Sequence, residues 1–391
     1  MLKLNPVIMK QVFQSFLLIV FLITLSNCQR KTNIILYDAK YTNEIKKVRE
    51  EFSTYLILNN IPGASIAISK EEKIIYSEGF GLASKDLQVP VTRETKFRIG
   101  ELSEIFTSLI YQMMLENGTL HPDSTIQHYI PDYPLAGFKQ ALNKITLSQL
   151  VNHSSGLREP SEDEFIQTGA NFTLQKSIDK FKNDPLQSLP GWFEAPSAYN
   201  FNLLGAIMEK STGKHFPDLL KSYITDTLKL TNTEVDNPYS TITGRSNFFD
   251  HNLVAQVVNA TFRDMRFRAP SEGILSNAED LVKLGNGILY SEIISENIKS
   301  RLFKPIALLG DFPPTMANGW VILKNKEGGF MYGRVGKVTG GSSVLLIIPD
   351  KKMVIAGTTN LSSSDEIPVF KLIEPFLNES GGEINKSKTE K

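Results

Sequence analysis

Cysteine is almost missing from this chain: among 391 residues there is one, Cys28. No intrachain disulfide can form, and zinc patterns built on paired cysteines are excluded. Net charge is missing too. The 42 Lys and Arg balance 42 Asp and Glu, which removes any bulk attraction to nucleic acid or to an anionic membrane surface. No Pro/Ser/Gly linker, low-complexity tract or internal period divides the body of the chain. The apolar run at 16–25 (FLLIVFLITL) is shorter than a bilayer span requires. What is present is a foldable composition, 41% hydrophobic and 21% charged, unlike that of disordered, collagenous or disulfide-scaffold chains. The length admits one large domain or two smaller ones.

The ends read separately from the body. Lys3 and Lys10 form a basic start, 16–25 an apolar signal core, and Leu25-Ser26-Asn27-Cys28 follows. That ending resembles a bacterial lipobox, which makes 1–28 a signal peptide and Cys28 the lipidated first residue of the mature protein. A plain secretory signal with an incidental cysteine is the alternative, and either Met1 or Met9 could initiate. Residues 29–45 read as a polar tether, 46–377 as the folded domain, and 378–391 as a disordered polar tail with no apolar residue beyond Ile384. The location implied is the cell envelope of a bacterium, with the protein secreted and held to a membrane by acyl chains on Cys28.

Within the body, Ile45, Val48, Phe52, Tyr55 and Leu56 recur at helical spacing over 41–59. Strands are predicted at 64–69 and 74–79, joined by Lys70-Glu71-Glu72-Lys73. Helices are predicted at 102–115, stopped by Asn117-Gly118, at 199–210, stopped by Gly213, and at 278–289, capped by Asn277. Strands at 319–324, 330–333, 344–348 and 353–359 precede a last helix over 366–377. The expected fold class is α+β: an antiparallel sheet formed by the N- and C-terminal segments, flanked by helices, with a mostly helical lobe inserted.

Five collinear segments carry a family resemblance. They are Phe97-Arg98-Ile99-Gly100, then Glu116-Asn117-Gly118-Thr119-Leu120-His121-Pro122-Asp123, then Ile145-Thr146-Leu147 through Asn152-His153-Ser154-Ser155-Gly156-Leu157. Leu203-Leu204-Gly205 with Thr212-Gly213-Lys214 is the fourth, and 271–281 (SEGILSNAEDL) the fifth. In this order they resemble the serine β-lactamase and penicillin-binding-protein superfamily, in its class C β-lactamase, D,D-peptidase and esterase branch. The last segment resembles the family's Gly-Gly-Leu-x-Ser-Thr-Ala-Glu-Asp-Leu. The resemblance implies a serine hydrolase with three motifs.

Those motifs are substituted. In the family, Ser-x-x-Lys at a helix start puts hydroxyl and amine one turn apart on one face. Here Glu101 stands in the Ser place and Glu104 in the Lys place. The Tyr-x-Asn places hold Pro196 and Ala198; a slip that restores Tyr199 puts Phe201 at the amide position. In 333–343 (GRVGKVTGGSS), aligned without a gap on His/Lys-x-Gly, Arg334 takes the first place and Gly336 keeps the glycine. Glu101 or Glu104 is expected to pair with Arg334 across the old cleft, Glu101 foremost; the plainer reading of either glutamate is a helix-dipole partner.

Other nucleophiles have little behind them. Ser177–Lys180 and Ser211–Lys214 repeat Ser-x-x-Lys, but about two such matches arise by chance in a chain this rich in Ser and Lys. Ser103 lacks a basic partner, and no Gly-x-Ser-x-Gly elbow is present. His153 reads as structural, and His121 and His128 as exposed residues flanking helices. No His/carboxylate cluster has metal-ligand spacing, so neither metal nor cofactor is expected. The sequence therefore reads as a pseudoenzyme at the cell envelope that would take a cell-wall peptide or small molecule in its vestigial cleft, with no nucleic-acid partner. The rival is an active β-lactamase, D,D-carboxypeptidase or esterase with an unrecognised nucleophile.

Overall fold

The computed structural model describes residues 35–134, 144–161, 164, 173–310, 312–324, 328–362 and 366–377. The signal segment, Cys28 and the 378–391 tail lie outside the described residues. In chain order the elements that matter are β1 (Ile35–Tyr37), α1 (Thr42–Leu58), β2 (Gly63–Lys70), β3 (Lys73–Ser84) and β4 (Phe97–Arg98). After a 3-10 turn at Gly100–Leu102 come α2 (Ser103–Glu116), α3 (Ala198–Thr212), β5 (Glu234–Val235), β6 (Phe249–His251), β7 (Val257–Asn259), β8 (Ile274–Ser276) and α4 (Ala278–Tyr290). The chain closes with β9 (Met316–Ala317), β10 (Trp320–Lys324), β11 (Phe330–Val338), β12 (Gly341–Ile348), β13 (Met353–Thr359) and α5 (Val369–Leu377).

The main sheet runs β1-β3-β2-β13-β12-β11-β10-β9, with a short strand at Val89–Pro90 added beside β3. Every pairing in it is antiparallel. The join of the two chain ends is β13 on β2, in the register Val354 opposite Ser69 through Thr359 opposite Ala64. The sheet is buried on both faces, which is why its centre reads as continuous apolar runs rather than an alternation. In β12, Leu345 and Ile347 face the core shared with α2, α3 and α4, while Val344, Leu346 and Ile348 face α1 and α5. The helical lobe sits between β4 and β9 in sequence, as an insertion. Among the described residues no helix is long and apolar enough to cross a membrane.

One boundary needs correction. The stretch 29–45, read as a tether, is already structured at its far end: Ile35, Leu36 and Tyr37 pair with Glu78, Ser77 and Tyr76 of β3. Three residues are too short for periodicity to register, and β1 is an exposed edge with little apolar burial to announce it.

Candidate functional site

The site is built where the start of α2 meets β11. Gly100 enters the helix turn with φ +54, and a Cβ there would lie 2.7 Å from the Lys337 nitrogen. Gly336 meets the same lead-in from the strand side: a Cβ would lie 1.9 Å from the Ile99 carbonyl oxygen. Ser343 on β12 donates to that same carbonyl at 2.6 Å. Two glycines thus let backbone touch backbone and fix the helix start against the strand. Gly336, retained from the third motif, is needed for packing whatever chemistry the site performs.

Glu104 is 1% exposed at the first turn of α2. Its Oε2 pairs with Arg334 Nη2 and lies 3.1 Å from His153 Nε2. His153 Nδ1 accepts from the Ser197 backbone N–H at 3.3 Å and lies 3.1 Å from Asn200 Nδ2. The nitrogen that accepts cannot be the one that donates, so Nε2 carries the proton given to Glu104. Ser155 Oγ in turn donates to Asn200 Oδ1. A buried chain therefore runs Ser155–Asn200–His153–Glu104–Arg334. Arg334 also reaches Met316 Sδ at 3.7 Å.

The expected Glu101–Arg334 pair is corrected here: Glu104 makes it. Glu101 sits in the 3-10 turn before α2, and its Oε2 accepts the Lys337 backbone N–H at 2.5 Å. The two glutamates thus serve different partners, Glu101 a backbone N–H and Glu104 the guanidinium. Burial pushes the Glu101 carboxyl above its ordinary range; the Lys337 N–H opposes this, the Glu104 charge adds to it, and Arg334 opposes it weakly.

At the second motif, Pro196 is exposed and Ala198 begins α3. Ser197 is the helix cap, its Oγ accepting from the Tyr199 N–H at 3.2 Å. The Ala198 N–H donates to Glu159 Oε2 at 3.1 Å. Tyr199 turns its ring onto Phe181, with centroids 3.9 Å apart. The other serines are committed elsewhere. Ser103 Oγ, fully buried, accepts from the Ile274 N–H at 3.1 Å. Ser177 Oγ donates to the Leu174 carbonyl at 2.6 Å, and Ser211 Oγ to that of Ile207 at 2.7 Å. His121 and His128 are both exposed, His128 within a short helix, Ile126–Tyr129, with its ring edge on Tyr129.

Two further carboxylates surround this centre, and sequence reading passes over both. Glu272 is buried and accepts from Arg268 Nη2 at 2.8 Å. Burial pushes its carboxyl up to about 7; Arg268 opposes this, and Glu101 and Glu104 add to it. Glu159, although its residue is exposed, is pushed up to about 7, by the partial burial of its carboxyl and then by Glu272, against the Ala198 N–H and Arg268. Glu272 did leave a signal: it stands where the matched family segment has a glycine. Ser155 lies within the matched segment around His153, whereas Glu159 and Asn200 left no signal, because no motif spacing ties them to the site. Among the described residues no group of three His, Cys, Asp or Glu side chains is arranged to hold a metal ion. The arrangement stores charge and protons, but no hydroxyl lies beside an amine where the first motif would place them.

Comparison with known proteins agrees with this geometry. The human protein named serine beta-lactamase-like protein LACTB, mitochondrial, is 24% identical over 382 residues, covering 74% of this chain and 69% of its own. Penicillin-binding protein 4* of Bacillus subtilis (strain 168) is 22% identical, over 83% of this chain and 73% of its own. Among solved structures, the octameric penicillin-binding protein homologue from Pyrococcus abyssi superposes with a TM-score of 0.73 at 22% identity, covering 85% of this chain and 77% of that one. A class C beta-lactamase superposes with a TM-score of 0.70 at 18% identity, over 89% and 100%. The family model described as Beta-lactamase matches residues 48–373, a span that takes in the join of the two chain ends, the helical lobe and all three substituted motifs: the chain belongs to the beta-lactamase family.

Proposed function

We propose that this protein is a family member without acyl-enzyme chemistry, acting at the cell envelope as a binding or scaffolding module. The observation that carries the reading is the buried pair of Glu104, in the lysine's place, with Arg334, in the place of the third motif's His or Lys. A general base must be free to take the nucleophile's proton. Glu104 is neutralised by a guanidinium and already accepts from His153, and Glu101 beside it is a carboxylate rather than a hydroxyl. The commitments of Ser103, Ser177 and Ser211 to backbone partners support the same reading. Its ligand would be a cell-wall peptide or a small molecule.

The direct test is turnover. Purified mature protein incubated with a chromogenic cephalosporin and with a p-nitrophenyl ester should give no rate above that of the heat-denatured chain. Saturable turnover abolished by a single serine substitution would restore the active-hydrolase reading.

The membrane attachment belongs to the same proposal and rests on the lipobox-like end at Cys28. In a bacterial host, Cys28→Ala should move the protein from the membrane fraction to the soluble one. Unchanged partitioning would remove the anchor.

A further inference from the structure

A cavity of about 570 Å³ has a lining that includes Arg98, Arg245, Ser246, Phe248, Phe262 and Arg263. The chain links it to the site: Arg98 lies three residues before Glu101, and its Nη1 donates to the Thr339 carbonyl, at the turn after β11, at 2.9 Å. The turn is pinned from the cavity side too, where a Cβ on Gly340 would lie 2.3 Å from Phe248 Cβ.

The charge here is unbalanced. Three guanidiniums line the cavity against one carboxylate, Asp86. The buried Asp236 beneath is already used on both oxygens: Oδ2 accepts from Arg98 Nε at 2.7 Å and Oδ1 from Arg245 Nη1 at 3.0 Å. The three arginines feel one another, since Arg245 and Arg263 each help to lower the Arg98 pKa below its ordinary value, after burial as the main cause.

Arg245 supplies the free valence. Its side chain is 29% exposed and its Nη1 serves Asp236 and the Asn237 carbonyl. Among the described residues its Nε and Nη2 have no partner, and that edge of a guanidinium is a two-point match for a carboxylate. Ser246, 2% exposed in the same lining, keeps its hydroxyl without a hydrogen-bond partner, a state that buried polar groups seldom keep. Aromatic walls complete the cavity. The Phe248 ring lies 3.9 Å from the Arg98 guanidinium, and Phe262 is 54% exposed. A cavity of this size with an apolar wall and a few convergent polar groups has the character of a small-molecule site.

We infer that this cavity binds a small carboxylate with an apolar or aromatic body, its carboxylate on Arg245 and its body between Phe248 and Phe262. The inference deepens the binding reading above and rests on it, by giving the ligand a chemical class and a cavity outside the Glu104–Arg334 centre.

Isothermal titration of the full mature protein with benzoate, benzamide and inorganic phosphate tests it. Benzoate should bind, benzamide at least tenfold more weakly for want of the charge, and phosphate more weakly than benzoate for want of the ring. Arg245→Gln should weaken benzoate at least tenfold. Phe262→Ala, an exposed change that leaves the core untouched, should weaken it several-fold and serves if the arginine variant fails to fold. Absence of benzoate binding at 10 mM, equal binding of benzamide, tighter binding of phosphate, or a folded Arg245→Gln or Phe262→Ala that binds as before would each overturn the proposal. Turnover of the cephalosporin or ester would overturn the pseudoenzyme reading whether or not benzoate binds, so the two failures are told apart.

Discussion

Glu272 is a carboxylic acid enclosed beside one guanidinium and within reach of two other carboxylates, and its pH behaviour follows from that. Its folded pKa of about 7 lies above the ordinary 4.5. Between those values the folded chain holds a proton that the unfolded chain releases. The stability this contributes is fully present below about pH 4.5 and is lost as pH rises through 7. Glu164 works in the opposite sense. Arg158 holds its carboxyl down to about 2, so its contribution is present above 4.5 and fades as pH falls toward 2. Thermal stability should therefore be higher near pH 5 than at pH 8, with Glu272 responsible for roughly 1–3 kcal/mol of the difference. Scanning calorimetry at the two pH values checks this: Glu272→Gln should reduce the difference, with Glu159, also raised to about 7, supplying part of what remains, and an unchanged difference would show that Glu272 ionises normally. Little of this was legible in the sequence. Glu101, Glu104 and Arg334 could be found because motif register names their places. Glu159 and Asn200 could not, because proximity in the fold, rather than spacing, brings them in.

The elements were far more legible than the site. Apolar periodicity located α1, α2, α3 and α4 within two residues at each end, because each buries a long stripe in one core. Strand β11 was read too short, at 330–333 against Phe330–Val338. Its second half, Gly333 to Lys337, carries two glycines and two cations, a composition that propensity rejects and that the α2 lead-in requires. The pairing of the two glutamates went wrong for a related reason. Register names residues one turn apart, but it does not name their partners: Glu101 takes the Lys337 N–H and Glu104 the guanidinium.

The interaction that ties α2 to β11 can be measured as a coupling energy. Glu104 and Arg334 are 2% and 10% exposed in their side chains, so removing one partner leaves a buried charge, at a penalty on the order of 3–5 kcal/mol. A double-mutant cycle on Glu104→Gln and Arg334→Met, read by urea unfolding, should give a coupling of roughly 1–3 kcal/mol. The same cycle on Glu101→Gln and Arg334→Met should give clearly less. Equal couplings would mean that both carboxylates share the guanidinium.

At the scale of the whole molecule, the chain keeps the beta-lactamase family's fold, and on the proposed reading its reacting groups are exchanged. The sheet that joins the chain ends, the inserted helical lobe and the glycines that press α2 onto β11 are retained. The places of nucleophile, base and third-motif cation now hold two glutamates and an arginine, within a buried network that reaches His153 and Asn200. A scaffold that stays folded around a neutralised centre suits binding better than turnover. The central claim is that no serine of this chain becomes acylated. Intact-mass spectrometry after prolonged incubation with a penicillin and, separately, with a fluorophosphonate tests it most directly. The account predicts the unmodified mass in both; a stoichiometric adduct mapped to any serine would contradict it.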